Sequence, residues 1–398
     1  MTDVIVIGAG AAGLMCAIVA GQRGKSVTVL ERSERIGAKI LISGGGRCNF
    51  TNLYAKPENY LSSNPDFCKS ALARYTPDDF IALVERHGIA YHEKKLGQLF
   101  CDGSSREIVE MLQREGDDAG VEIKTGANVI TIRRLESDGS FEIVTPRETF
   151  SAKRLVVATG GLSLPKLGAT DFAYCIAQQF GLNVLPVRAG LVPFTFGGED
   201  LEFCRALSGI SAPCVASVLE GRPPGRPRPE FMEHFLFTHR GLSGPAMLQV
   251  SSYWQAPEEL RINLFPEGGA RAWLEENRSS GMRLDTLLSQ RLPERFATAW
   301  TASLAPLRPV RQYNSVELDD IAQRLENWTL RPAGTEGYAT AEVTVGGIDT
   351  RELHSKTMEA RAVPGLHFIG EAVDVTGWLG GYNFQWAWAS GHACGQAV

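Results

Sequence analysis

Apolar residues open the chain as a short run at 4–7, stop at glycines, and resume with helical spacing over Ala11–Gln22. Strand character returns over residues 25–30 and ends at Glu31. A strand, a glycine turn, a helix and a second strand in that order imply a parallel sheet. Residues 76–87 and Ser105–Asp118 predict amphipathic helices, with Pro77 and Asp78 suited to a first turn. Residues 121–133 and 140–144 alternate in a way that predicts an antiparallel ribbon, and "RLVVATGG" (154–161) predicts a buried strand running into a glycine turn.

Near residue 189 the texture changes. "AGLVPFTF" leads to "GRPPGRPRP" (221–229), which holds too much proline for regular structure. Residues 271–302 and 316–330 predict helices, and from about 340 short strands and glycine turns return. The expected layout is one nucleotide-binding domain in two pieces, 1–188 and 341–398, with an inserted region at 189–340.

The hexad Gly8-Ala9-Gly10-Ala11-Ala12-Gly13 gives this layout its chemistry. It matches G-x-G-x-x-G, follows a strand, opens a helix, and precedes an acid 23 residues after Gly8. Gly8 permits the tight turn, Gly10 lets backbone approach a pyrophosphate, and Gly13 lets helix pack on strand. The helix start offers free N–H groups and partial positive charge to the phosphates. Glu31 would accept hydrogen bonds from the adenosine ribose. Two further segments favour FAD over NAD: "VVATGG", and the glycine turn and helix after Gly370-Glu371. Leu379 to Asn383 would supply a helix start aimed at the flavin N1/C2=O edge, where negative charge gathers on reduction. Phe384, Trp386 and Trp388 are expected to form a buried helix face.

Composition narrows the function. A net charge of −5 over 398 residues gives no global attraction to nucleic acid or anionic lipid. No segment reads as a membrane span or an export signal, so the expected location is the cytoplasm. The eight cysteines form no C-x-x-C pair and no zinc spacing, which argues against a disulfide reductase and against a metal centre. No second G-x-G-x-x-G opens its own strand–helix unit, so NAD(P)H would dock transiently as reductant.

Six segments together resemble the YhiN-type family of bacterial flavoproteins over nearly the whole chain. They are "GGGRCNFTN" (44–52), "LGQLFCD" (96–102), "ATGGLSLPKLGAT" (158–170), "LFTHRGLSGPAMLQVSSYW" (236–254), "GTEGYATAEVTVGGIDT" (334–350) and "FIGEAVDVTGWLGGYNFQWAW" (368–388). The resemblance implies an α/β fold: a Rossmann-like FAD-binding domain with an inserted β-rich domain and a helical domain, the latter at about 268–330. It implies FAD-dependent reduction of an activated C=C bond. The leading substrate is uracil in large-subunit ribosomal RNA; a conjugated enone, amine oxidation, or a non-catalytic redox-sensing flavoprotein are the alternatives. Expected cofactor contacts are Gly8, Gly10, Ala11, Ala12, Gly13, Glu31, Arg32, Lys39, Gly44, Gly45, Thr159, Gly160, Gly370, Glu371, Gly380, Gly381, Tyr382 and Asn383.

Reducing a C=C bond also takes an acid that protonates the carbon next to the one receiving hydride. Cys48, Cys101, His239 and Tyr382 are the candidates, Cys101 being the one expected to be structural. A cysteine of ordinary pKa, about 8.5, holds its proton at neutral pH; Cys48 is either that donor or a small buried packing residue. Arg47 would anchor a phosphate, and Asn49 and Asn52 would bind a carbonyl or uracil edge or else cap backbone groups. The insertion carries 15 arginines and no lysine against 18 acids, so it is not a basic RNA-tracking domain. Arg222, Arg226 and Arg228 make one local basic stretch.

Overall fold

In the computed structural model, which describes residues 2–219, 229–304 and 306–398, the first apolar run becomes β1 (Thr2–Ile7). Val4, Ile5 and Val6 are fully buried, as expected of a central parallel strand covered on both faces. The following helix α1 (Ala11–Gln22) is buried almost all round, and β2 (Val27–Leu30) pairs parallel to β1. On the other side of β1 lies Thr149–Val157, also parallel. That long strand changes partners halfway. Residues 149–152 pair antiparallel with Phe141–Val144, whereas 155–157 pair parallel with Leu366–Phe368. The last part of the chain is thereby drawn into the same sheet as the first.

The chain divides into two compact units: Met1–Ala189 with Glu342–Val398, and Gly190–Ala341. The second unit contains a seven-stranded sheet among the described residues, and its named strand pairs are all antiparallel. Phe203, Phe235, Phe237, Phe296 and Trp328 form a ring cluster with centroid separations of 5.1–6.5 Å. Arg222, Arg226 and Arg228 lie outside the described residues.

Three expectations need correction. Residues 121–133 do not form one arm of a ribbon: Glu122–Lys124 pairs parallel with β2, and Thr131–Arg134 pairs separately with Phe141–Val144. Gly126, at φ +66°, turns the chain between them. The stretch 271–302 is three short helices, Ala270–Glu276, Leu284–Leu288 and Glu294–Thr301, interrupted near Gly281 and Pro293. The helix Ser315–Glu326 ends before Trp328–Leu330, which joins the sheet edge instead. Among the described residues no helix is long and apolar enough to cross a membrane.

The C-terminal helix Tyr382–Gly395 packs along α1 through glycines. A Cβ on Gly391 would sit 2.5 Å from the Ala12 carbonyl, and one on Gly395 would sit 2.7 Å from that of Cys16. On the helix's other side Trp388 stacks on Phe80 at 4.3 Å and 11°. Phe80 and Trp388 are both fully buried. Phe80→Ala is expected to lower unfolding free energy by about 3–5 kcal/mol, measured by urea denaturation, through lost burial and the cavity left under Trp388.

Candidate functional site

Four glycine or acid turns meet at the carboxyl ends of adjacent parallel strands, where open α/β sheets bind ligands. β1 delivers Gly8, β2 delivers Glu31, Thr149–Val157 delivers Thr159 and Gly160, and Leu366–Phe368 delivers Gly370 and Glu371. Backbone bonds lock these turns together: Gly8 N donates to Leu30 O at 2.8 Å, Ala158 N to Ile7 O at 2.8 Å, and Ile369 N to Val157 O at 3.2 Å.

The three fingerprint glycines are required for different reasons. Gly8 sits at φ +106°, and its Cβ would lie 2.6 Å from Ala158 O. A Cβ on Gly13 would lie 1.9 Å from Gly8 O. Gly10 differs: a Cβ there would meet no protein atom within 4 Å. It caps α1 without a side-chain hydrogen bond, so the first-turn N–H groups around Ala11 and Ala12 are left for a ligand. The hydroxyl of Thr159 is buried with no partner. Open space at Gly10 and an orphaned hydroxyl beside the same turn both fit a bound dinucleotide.

Glu31 is aimed by backbone. Its Oε2 accepts from Ala9 N and its Oε1 from Ser33 N, both at 2.8 Å. Arg32 donates to Gly168 O at 2.6 Å, which ties the loop after Gly160 to the end of β2. Lys39 and Glu371 form an ion pair at 2.6 Å. Ser163 completes it, accepting from Lys39 Nζ at 2.6 Å and donating to Glu371 Oε1 at 2.8 Å, while Thr344 N donates to the same oxygen at 3.0 Å. Ser163 and Thr344 were missed by sequence reasoning. Ser163 falls inside the "ATGGLSLP" segment, but an isolated serine or threonine gives no signal of a carboxylate partner far away in the chain.

The segment "NFTN" (Asn49–Asn52) is a short strand, and each residue bonds to the C-terminal helix or the turn before it. Asn49, with its amide oxygen toward the turn, accepts from Gly381 N at 3.2 Å and donates to Leu99 O and Thr51 O. Phe50 O accepts from Trp388 Nε1 at 2.8 Å, and Thr51 Oγ1 donates to Gln385 Oε1 at 2.7 Å. Asn52 donates to Gly380 O at 2.8 Å and Leu96 O at 3.1 Å, and accepts from Tyr54 N. Gly380 and Gly381 have φ of +107° and +96°, and a Cβ on Gly381 would lie 2.3 Å from Thr51 O. Asn383 bonds back to Gly377 and Trp378. The helix start carries no side-chain cap, so its first N–H groups are again left for a ligand.

Gly44 and Gly45 adopt left-handed φ of +57° and +67°. A Cβ on Gly44 would lie 2.7 Å from the Phe100 ring, whereas one on Gly45 would meet nothing within 4 Å. Arg47 is exposed. Cys48 is fully buried at φ +47°; burial pushes its thiol up to about 12, partly opposed by a hydrogen bond to Ser43, with Cys101 beside it. Burial likewise pushes Cys101 up to about 12. Tyr382 is buried, which raises its phenol pKa, and its backbone carbonyl accepts from Tyr60 Oη at 2.9 Å. His239 is exposed on the turn between Phe231–Thr238 and Gly241–Ser243 of the other unit.

Fold and site are those of an FAD-dependent oxidoreductase. The chain belongs to the HI0933-like family: the model of the HI0933-like protein Rossmann domain matches residues 2–397. The ribosomal RNA dihydrouridine synthase of Escherichia coli (strain K12) is 51% identical over 99% of this chain and 97% of that protein. The Haemophilus influenzae protein of the same name is 49% identical over 99% and 98%. A 3-dehydro-bile acid delta(4,6)-reductase of Clostridium scindens is 28% identical over 100% and 99%.

Gly10→Val is expected to leave the thermal unfolding of FAD-stripped protein unchanged and to weaken FAD binding tenfold or more, roughly the cost of losing one or two phosphate hydrogen bonds. Flavin absorbance per chain and a titration of stripped protein measure it; tight FAD binding by the variant would remove Gly10 from the site.

Proposed function

We propose that this protein reduces the activated C=C bond of a uracil in large-subunit ribosomal RNA, giving dihydrouridine, with electrons from NAD(P)H. The carrying observation is identity near one half, over essentially full length, to two ribosomal RNA dihydrouridine synthases. The reading places the protein in the cytoplasm, with its RNA.

When bound, FAD supplies hydride from N5 to the electron-poor carbon. The chain's own part is to hold and to protonate. The N–H groups at the start of α1 would hold the pyrophosphate, and Glu31 would take the ribose. Lys39, Ser163 and Thr344 fix Glu371 beside Gly160 and Gly370. Asn49 and Asn52 hold the Gly380–Gly381 backbone, so that the helix start would offer its N–H groups to negative charge developing on the bound cofactor. The two asparagines act on protein backbone rather than on uracil, since all of Asn52's bonds in the structure go to backbone atoms.

Cys48 has no exposed surface and lies beside Cys101, and we assign it to packing rather than to proton donation. Tyr382 and His239 remain as donors. Cys48→Ala is expected to keep FAD and at least half of wild-type turnover; a fall of a hundredfold or more, roughly the usual scale of a lost general acid, would return the thiol to catalysis.

Deleting the gene is expected to remove one dihydrouridine from large-subunit ribosomal RNA, seen by mass spectrometry, and re-expressing this chain to restore it. Unchanged RNA in the deletion strain would end the proposal. The full-length similarity to a bile-acid reductase supports a small conjugated enone as the second reading. Purified protein, reduced anaerobically by NADH or NADPH, is then expected to be reoxidised by such an enone and not by RNA.

A further inference from the structure

Three of the nine exposed large apolar side chains among the described residues, Leu53, Tyr54 and Leu96, come from two turns of the FAD-binding unit that meet each other. Leu53 N donates to Gly97 O at 2.9 Å, and the Tyr54 ring lies over Gly97, where a Cβ would be 2.7 Å away. Tyr54 is 57% exposed and Leu96 56%. Leu96 holds its side chain outward at φ +51°, a backbone conformation that costs a branched residue and suits glycine.

Lysines flank this apolar ridge. Lys56 follows the first turn and is exposed. Lys94 opens the second, with its ammonium 5.3 Å from the centroid of the Phe100 ring. Of the neighbouring acids, Glu93 is folded back onto its own loop and accepts from Gly97 N at 2.8 Å, while Glu58, two residues after Lys56, is exposed. A flat exposed ring, an aliphatic neighbour and an exposed lysine in or next to each turn match the needs of single-stranded RNA: bases stack on the ring and phosphates meet the ammoniums.

The ridge is also one side chain from the site. The Asn52 amide bonds Leu96 O and Gly380 O together, so the exposed turn is tied to the turn that begins the C-terminal helix. An enzyme acting on a base must take that base out of its stack, and the flanking nucleotides then need their own seat.

We infer that the Tyr54–Leu96 ridge, with Lys56 and Lys94, is the seat for nucleotides flanking the target uracil. The inference rests on the ribosomal RNA reading above and gives it a surface that the chain's acidic balance conceals.

Two variants test it, Tyr54→Ala/Leu96→Gly and Lys56→Glu/Lys94→Glu, each first checked for FAD content and unfolding midpoint against wild type. Binding is measured by anisotropy with a labelled oligouridylate and with unmodified large-subunit ribosomal RNA transcript over a series of salt concentrations. Dihydrouridine is measured in a deletion strain carrying each form. Both variants are expected to keep FAD, to bind RNA roughly tenfold or more weakly, and to restore less dihydrouridine than wild type. The charge reversal is also expected to flatten the salt dependence by about two phosphate contacts. Wild-type RNA affinity and wild-type dihydrouridine in both variants would overturn the ridge while leaving the RNA reading intact. Failure of the wild-type chain itself to form dihydrouridine would overturn the RNA reading, and the ridge with it. Unchanged RNA affinity with altered sedimentation would make the face a contact between copies of this chain, which also overturns the inference.

Discussion

Two consecutive glycines, Gly380 and Gly381, must be held in left-handed backbone conformations directly before an uncapped helix, and the rest of the site depends on that restraint. Within the helix, Asn383 ties back only to Gly377 and Trp378. The bonds on Gly380 and Gly381 come from Asn49 and Asn52, far earlier in sequence, and the same strand also bonds Gln385 and Trp388. Each bond contributes on the order of 1 kcal/mol net, but leaving one of these buried groups unpaired costs more, so the set favours a single arrangement. A helix start fixed this way can stabilise charge without reorganising when charge appears.

The same helix is fixed on its opposite side. Gly391 and Gly395 bring its backbone against α1, and Gly370 lies against Ala12. Two helix N-termini, one at Gly10 and one at Gly381, therefore belong to one packed pair. Glycine at these contacts lowers helix propensity by about 1 kcal/mol per position. The close approach that offsets this cost also sets the separation of the two N–H clusters, and with it the length of ligand that can span them.

Features whose cause is local were legible in the sequence. The strand–glycine–helix–strand unit follows from steric rules acting between near neighbours, and Ala11–Gln22 and Ser105–Asp118 begin and end where their patterns place them. Features whose cause is distant were ambiguous. Glu122–Lys124 alternates like a ribbon strand, yet its partner is β2, and so short a pattern cannot distinguish the two. Residues 328–330 continue a helical pattern but join a sheet because an edge is available there. Asn49 and Asn52 were the sharpest case. An amide beside a glycine turn suits a ligand carbonyl and a backbone carbonyl equally well, and only the fold supplies Gly380 and Gly381 as partners.

The thiol at position 48 follows from the same geometry. Gly44, Gly45 and Gly46 all have positive φ and reverse the chain between Ala38–Ile42 and Asn49–Asn52, and the residue closing the reversal shares their left-handed conformation at φ +47°. Its side chain is then fully buried beside Cys101. Cysteine is small and tolerates burial, so it fits where a larger side chain would push the reversal apart. Burial moves its pKa away from a reactive thiolate, and the hydrogen bond to Ser43 offsets only part of that shift. The chemistry suggested by a cysteine after three glycines thus belongs to the residues that follow it, because the reversal that buries the thiol sets the register in which Asn49 and Asn52 reach the helix start.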